Sequence, residues 1–279
     1  MSLSVLPFRK MNGLGNDFVV LDLRHSKERM SADASAAIAN RKTGIACDQV
    51  ITIENRDGPF MGVWNADGSE VGACGNAARC VGAILMDESG DAGVAFETMS
   101  GEISAERAAS GRISVDMGIP KFHWKQIPLA EETQDTRFID IKLGPIDKPV
   151  LWGPSAVNMG NPHCIFFVDN AEAQALDRFG PMIENHPLFP ERANVSVAEV
   201  RGRQYIRLRV WERGAGITKA CGTAACAALA AASRRRLTDR RATIELDGGI
   251  LAIEWREDDH IIMTGPYELE FEGVLPAGL

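Results

Sequence analysis

Two cysteines of this chain stand in matched surroundings. Val63-Trp64 leads to Ala73-Cys74-Gly75-Asn76-Ala77-Ala78, and Val210-Trp211 leads to Ala220-Cys221-Gly222-Thr223-Ala224-Ala225. Every matched letter keeps the spacing that separates Cys74 from Cys221, with no gap. A thiol at a helix start lies where backbone N–H groups point outward and the dipole is positive, which favours thiolate. The glycine after each cysteine lets the backbone approach a ligand closely. The N–H groups of Gly75-Asn76 and Gly222-Thr223 suit a carboxylate held between two helix ends. Its α-carbon would then lie between two sulfurs. One thiolate takes the α-proton, the other cysteine, as thiol, delivers a proton to the opposite face, and the helix dipoles stabilise the carbanion's charge. Two such thiols titrate as a coupled pair.

A single buried cysteine near a helix start is usually a small apolar filler. Two in repeat-matched positions, each with a glycine and a polar helix-start residue, shift the balance to chemistry. Cys47, Cys80, Cys164 and Cys226 are assigned to packing. The spacings offer no C-x-x-C pair and match no zinc finger or ribbon, so no metal site is expected. Taken alone, His163 in Gly160-Asn161-Pro162-His163 reads as a core or loop histidine. Glu212-Arg213 reads as a surface ion pair and Asn65-Ala66-Asp67-Gly68 as a turn.

The elements around these residues also repeat. Gly15-Asn16 precedes the apolar run Phe18 to Asp22, and Gly160-Asn161 precedes Cys164 to Asp169. Strands are predicted at Phe18 to Leu21, Gln49 to Ile53, Gly62 to Trp64, Ile113 to Met117, Phe138 to Ile141, Cys164 to Val168, Val195 to Val200, Tyr205 to Trp211, Thr243 to Leu246, Ile250 to Trp255 and His260 to Thr264. Asp247-Gly248-Gly249 reads as a hairpin turn. Helices are predicted at Ala32 to Asn40, Asn76 to Glu88, Ala171 to Glu184 and Thr223 to Arg236, with Asn76 and Thr223 at or near the caps. Strands with a few helices, repeated once, suit an α+β fold rather than βαβ winding. The 279 residues allow two domains of about 140 each. The stretch Pro120 to Pro149 is the weakest in pattern and is the expected first crossing between halves.

Composition is that of an ordinary globular protein, 45% hydrophobic and 24% charged, which sets no other class ahead. A net charge of −8 argues against a nucleic-acid or anionic-membrane surface. The one basic run, Arg234-Arg235-Arg236 with Arg240-Arg241, reads as a solvated helix C-terminus. The first ten residues hold no apolar h-region, and Ala224 to Ala232 is too short to span a bilayer. A cytoplasmic protein with reduced cysteines is expected.

Together these residues resemble diaminopimelate epimerase over essentially the whole chain. The motifs are Met11 to Phe18, Thr43 to Gln49, Asn65 to Glu70, Ala73 to Cys80, Gly160 to His163, and Glu212-Arg213-Gly214-Ala215-Gly216 through Cys226. Ala77 and Ala224 depart from the family, where glycine is frequent. The resemblance implies an α+β fold of two similar antiparallel β-sheet domains, each wrapped around a central helix, with the active site in the cleft between them. The domains would be 1–122 plus 267–279, and 123–266, the return of the last segment resting on the resemblance. It implies Cys74 and Cys221 as the acid/base thiols, His163 and Glu212 as the groups that set their protonation, and Gly75, Asn76, Gly222 and Thr223 as the carboxylate cradle. Asn16, Gln49, Asn65, Asn161, Asn194, Glu212 and Arg213 would contact substrate, Arg213 suiting a distal carboxylate because guanidinium binds it bidentately. The implied reaction is conversion of LL-diaminopimelate to the meso form, with no pyridoxal phosphate, metal or other cofactor, by a homodimer. The alternatives are a two-thiol proline or hydroxyproline racemase, which has no distal carboxylate to bind, a redox sensor pairing Cys74 with Cys221, and a non-catalytic binding protein.

Overall fold

The computed structural model describes residues 6–145, 147 and 149–276. Residues 1–5 and 277–279 of the expected N-terminal domain, and 146 and 148 of the second, lie outside the described residues. The chain divides into two compact units, Met1–Asp116 with Thr264–Leu279, and Met117–Met263. The sequence-based junctions after 122 and 266 lie a few residues further along.

The first unit contains β1 (Pro7–Gly13), β2 (Asn16–Asp22), α1 (Ala32–Ala39), β3 (Gln49–Asn55), β4 (Pro59–Asn65), β5 (Glu70–Val71), α2 (Gly75–Ser89), β6 (Gly93–Thr98), β7 (Gly101–Arg107) and β8 (Ile113–Asp116). The second contains β9 (Lys142–Leu143), β10 (Leu151–Trp152), β11 (Ser155–Asn158), β12 (Pro162–Phe167), α3 (Leu176–Glu184), β13 (Asn194–Gly202), β14 (Tyr205–Glu212), β15 (Gly216–Thr218), α4 (Gly222–Arg234), β16 (Arg241–Leu246) and β17 (Gly249–Trp255). β18 (Ile261–Gly265) leads the chain back, and β19 (Glu268–Val274) pairs antiparallel with β1.

The duplication seen in the letters recurs in the strand register. β2 runs parallel to β3 with Phe18 opposite Gln49, and β12 runs parallel to β13 with His163 opposite Asn194. β3 and β13 then pair antiparallel with β4 and β14, placing Val50 opposite Trp64 and Val195 opposite Trp211. β4 and β14 next take a short partner, Val63 opposite Val71 and Val210 opposite Thr218, and a parallel one across a helix. Each sheet is mainly antiparallel with two parallel pairings. Each parallel pairing spans one helix, because a parallel return needs a long crossover.

α2 and α4 are the central helices. α2 buries Asn76 through Met86, and α4 buries Gly222 and Ala224 through Ala232. In α4 the alanines combine high helix propensity with small volume, so β11, β12, β13, β14, β16 and β17 all pack against it.

Three local expectations are corrected and one is sharpened: Asn76 and Thr223 lie near the caps, and the caps themselves are Cys74 and Cys221. Both have extended backbone angles, and their carbonyls accept the first helical bonds, from Ala78 N–H at 2.8 Å and Ala225 N–H at 3.1 Å. α3 begins at Leu176 rather than Ala171, because Asn170 Oδ1 captures the N–H groups of Glu172 and Ala173 in a local turn. Phe138 to Ile141 forms no strand. Ile139 and Ile141 are buried in the second unit's core, but as plugs from a loop. Arg234 and Arg235 are half-buried clamps rather than solvated charges, stacked on Phe122 and on Phe138.

Candidate active site

In the first unit, the end of β4, the β5 turn and the start of α2 bring Cys74 to the helix N-terminus, half-buried and with no side-chain capping bond. Its Sγ faces Asn16 Oδ1 at 3.8 Å, and Asn76 Nδ2 donates to the same oxygen at 3.4 Å. Asn16 Nδ2 donates to Asp48 Oδ2 at 3.0 Å. Asp48 is held in turn by the Asp17 backbone N–H and by Arg41, which also bridges to Asp17. Lys10 and Arg41 hold the Asp17 carboxyl down at about 2 against the upward push of burial. Gln49 and Asn65 form their own pair at 3.0 Å, and Asn65 continues to Ser69 at 3.0 Å.

In the second unit, β14, β15 and the start of α4 place Cys221, which is 5% exposed. Burial pushes its thiol well up, and the Glu212 carboxylate, which accepts a bond from it, pushes the same way. The Thr223 hydroxyl, 3.5 Å from Sγ, and the Ala224 N–H oppose this. Thr218 Oγ1 donates to Glu212 Oε1 and holds that carboxylate in place. His163 is fully buried on β12, and burial, followed by the positive charge of Arg213, lowers it to about 3. It is therefore neutral. Its Nε2–H donates to Asn161 Oδ1 at 2.7 Å, which leaves Nδ1 a bare, buried lone pair without a hydrogen-bond partner. Asn194 Nδ2 donates to the Pro162 carbonyl at 3.2 Å, and its Oδ1 accepts the Arg213 backbone N–H at 2.9 Å. Arg213 is exposed, one guanidinium nitrogen donating to the Glu191 carbonyl at 2.8 Å.

Each half thus offers a helix-capping thiol, a neighbouring polar side chain and a helix N-terminus fit for a carboxylate. A family model described as diaminopimelate epimerase matches residues 8–123 and 155–270. The protein named diaminopimelate epimerase from Afipia carboxidovorans is 51% identical over 278 residues, 98% of this chain and 96% of its own. That of Phenylobacterium zucineum is 54% identical over 272 residues, 97% and 98% of the two chains. The chain belongs to the diaminopimelate epimerase family. The unmatched interval 124–154 falls largely in the stretch of weakest sequence pattern.

Solved structures extend the likeness of fold beyond the family. A phenazine biosynthesis protein of the PhzF family from Enterococcus faecalis superposes with a TM-score of 0.68 at 13% identity, over 97% of this chain and 98% of that one. A hydroxyproline epimerase from Agrobacterium vitis, with trans-4-OH-L-proline bound, gives 0.66 at 12% identity, over 99% and 94%.

Within this epimerase-family chain, three supporting residues carried no mark in the sequence reading. Asp48 orients Asn16, Thr218 fixes Glu212, and Glu184 holds the turn after Glu212. Asp48 lies next to Gln49 inside a motif of the resemblance, which is a usable signal. Thr218 likewise lies inside the motif that runs from Glu212 through Cys226, whereas Glu184 has no such signal, since it matters only through partners on other elements. Cys47, Cys80 and Cys164 are buried, with thiols pushed up to about 11, to about 12 and higher still, as inert packing thiols should be.

Proposed function

We propose that this chain converts LL-diaminopimelate to meso-diaminopimelate with Cys74 and Cys221 as a two-base pair. The observation that carries the reading is the equivalence of the two thiols: each caps the central helix of its own unit, at the same step of the same strand order. The substrate α-carboxylate would lie on the N–H groups that open α2 and α4, at Gly75-Asn76 and Gly222-Thr223. One sulfur takes the α-proton as the C–H bond breaks. The electron pair spreads into the carboxylate, and the other S–H gives its proton to the opposite face. No net proton is gained, so the pair ends with its roles exchanged. Burial and Glu212 favour the thiol form of Cys221. His163 stays neutral, and its bare Nδ1 is suited to accept a hydrogen bond rather than to take up a proton.

Asn16, Gln49, Asn65, Asn161, Asn194 and Arg213 would contact the substrate, Arg213 taking the distal carboxylate bidentately. A substrate without that end leaves the guanidinium unmatched, which favours diaminopimelate over proline. The proton pair is complete in the two thiols, so the reading needs no pyridoxal phosphate. All six cysteines are free thiols, as a reducing cytoplasm would keep them. Among the described residues no helix is long and apolar enough to cross a membrane. The domain limits proposed are those of the two compact units. A homodimer is supported by β19, whose Leu269, Phe271 and Val274 are each about half exposed, Leu269 lining a groove with Met11 and Ile84.

Proton NMR of LL-diaminopimelate with reduced protein in D₂O, without added cofactor, tests the reaction. Loss of the α-proton signal with appearance of the meso isomer is expected. No exchange from folded, reduced protein would reject it. Sedimentation of Phe271→Asp as a monomer, beside a dimeric parent, is the expected result for the interface.

A further inference from the structure

The turn that carries Arg213 is fastened from below by a carboxylate outside the site. Glu184, the last residue of α3, is 5% exposed and accepts three bonds. Its Oε2 takes the indole Nε1–H of Trp211 at 2.7 Å. Its Oε1 takes the Gly214 backbone N–H at 2.9 Å and Arg192 at 3.1 Å. Trp211 and Gly214 bracket Glu212-Arg213. Arg192 neighbours Glu191, whose carbonyl holds the Arg213 guanidinium, and the Glu184 carbonyl accepts the Ala193 N–H at 3.2 Å. One side chain therefore ties down both the backbone and the head-group anchor of Arg213.

The seat for Trp211 is shaped as well as charged. A Cβ built on Gly180, one turn before Glu184 on α3, would lie 2.6 Å from the indole ring. Only a glycine there lets the ring lie against the helix and reach the carboxylate. Among the described residues the first unit has no counterpart of this device. Trp64, the register equivalent of Trp211, has a buried Nε1 without a hydrogen-bond partner, and the residue after it is Asn65 rather than a charged pair. Glu212 has separate support from Thr218, so the Glu184 contacts bear chiefly on Arg213.

We propose that Glu184 is a positioning residue that sets the reach of the Arg213 guanidinium, and through it the grip on the substrate's distal carboxylate. The inference rests on the epimerase reading above. Glu184→Gln tests it, because an amide offers one acceptor and turns N–H groups toward a donor, so either Trp211 or Gly214 is released. In the folded variant, KM for LL-diaminopimelate should rise by roughly tenfold or more while kcat changes by less than about threefold, the signature of lost binding rather than lost chemistry. Gly180→Ala keeps the carboxylate but crowds the ring, and should raise KM in the same direction. It carries the test if Glu184→Gln does not fold by circular dichroism. A lower Tm with KM unchanged in both folded variants would make Glu184 purely structural and overturn the proposal. A fall in kcat alone would overturn it too. Absence of turnover by the unaltered protein would reject the epimerase reading itself, and this inference with it.

Discussion

Asn16 gives its amide nitrogen to Asp48 at 3.0 Å, and this fixes its carbonyl oxygen toward the Cys74 sulfur. An asparagine side chain is nearly symmetric in shape but opposite in hydrogen bonding at its two ends. The carboxylate behind it decides which end meets the thiol. With Oδ1 forward, Asn16 accepts from Cys74 S–H and from Asn76. With Nδ2 forward it would instead donate to a thiolate.

Asp48→Asn therefore removes the orientation without removing Asn16. We expect kcat/KM to fall roughly tenfold, about the worth of one charge-assisted hydrogen bond, and Cys74 to alkylate faster at neutral pH. Iodoacetamide labelling followed by peptide mass spectrometry reads the second effect directly. Unchanged labelling of Cys74 in the folded variant would show that Asp48 does not control the amide.

The two thiols should be separately indispensable. Cys74→Ala and Cys221→Ala each remove one half of a proton transfer whose members contribute about 10²–10⁴-fold each. Epimerisation should fall by at least that factor in both, with the circular dichroism spectrum retained. Cys74 is half-exposed, so its loss should hardly move stability. Near-parental turnover in either variant would refute the two-base assignment.

His163 gives the protein a pH dependence in a window that the carboxylates held low do not reach. Its folded pKa is depressed to about 3 from 6.5, so the unfolded chain binds a proton that the native state refuses. Its contribution is present above about 6.5 and is lost as pH falls toward 3, at up to about 1.4 kcal/mol per pH unit. The carboxylates that are held low, such as Asp17 and Glu199, have the same sign but act only below their ordinary values of 3.8 and 4.5. Urea denaturation between pH 4.5 and 6.5 should therefore show a slope that His163→Gln abolishes. An equal slope in the folded variant would place the titration elsewhere. On the alkaline side the buried thiols, Cys221 among them, are raised above 9.0, so their contribution is present below about that pH and lost above it.

Much of this was legible in the letters because both periodicities were clean. Ile206 to Trp211 alternates and falls within β14, which ends one residue later at Glu212. The two Cys-Gly units announce α2 and α4 to within two residues at their starts. What the letters hid was structure built on charge. β1 was not predicted, because Arg9 and Lys10 interrupt its pattern, yet Lys10 is buried by its pairing with Asp17 and the Ala46 carbonyl. The caps were placed only approximately because cysteine is no usual cap, and a helix start chosen for chemistry gives up a capping bond. Glu184 was invisible for a similar reason. It closes an ordinary amphipathic helix, and its value comes from residues 211, 192 and 214 on other elements.

The basic run at the end of α4 shows how far a composition argument can mislead. Arg235 lays its guanidinium over Phe138 at 3.9 Å and Phe167 at 4.8 Å, and donates to the Arg137 carbonyl at 2.9 and 2.6 Å and to the Gly153 carbonyl. Burial lowers it to about 10, the opposite of what a solvated helix end would do. The arms of the loop bearing Phe138 and Gly153 pair with each other through β9 and β10 and through the Ile139–Pro154 and Gly153–Ile141 bonds, and this fork fastens them to the end of α4. Arg235→Ala should cost about 2 kcal/mol, from one desolvated cation–π stack and the carbonyl bonds it leaves unmade. At roughly 2–4 °C per kcal/mol for a chain of this size, Tm should fall by several degrees. Arg235→Lys should recover little, because an ammonium has neither the plane nor the fork. Both kcat and KM should stay at parental values, since Arg235 touches none of the site residues. Differential scanning calorimetry beside the NMR assay decides the matter: a Tm within one degree of the parent would return Arg235 to the role of a solvated charge.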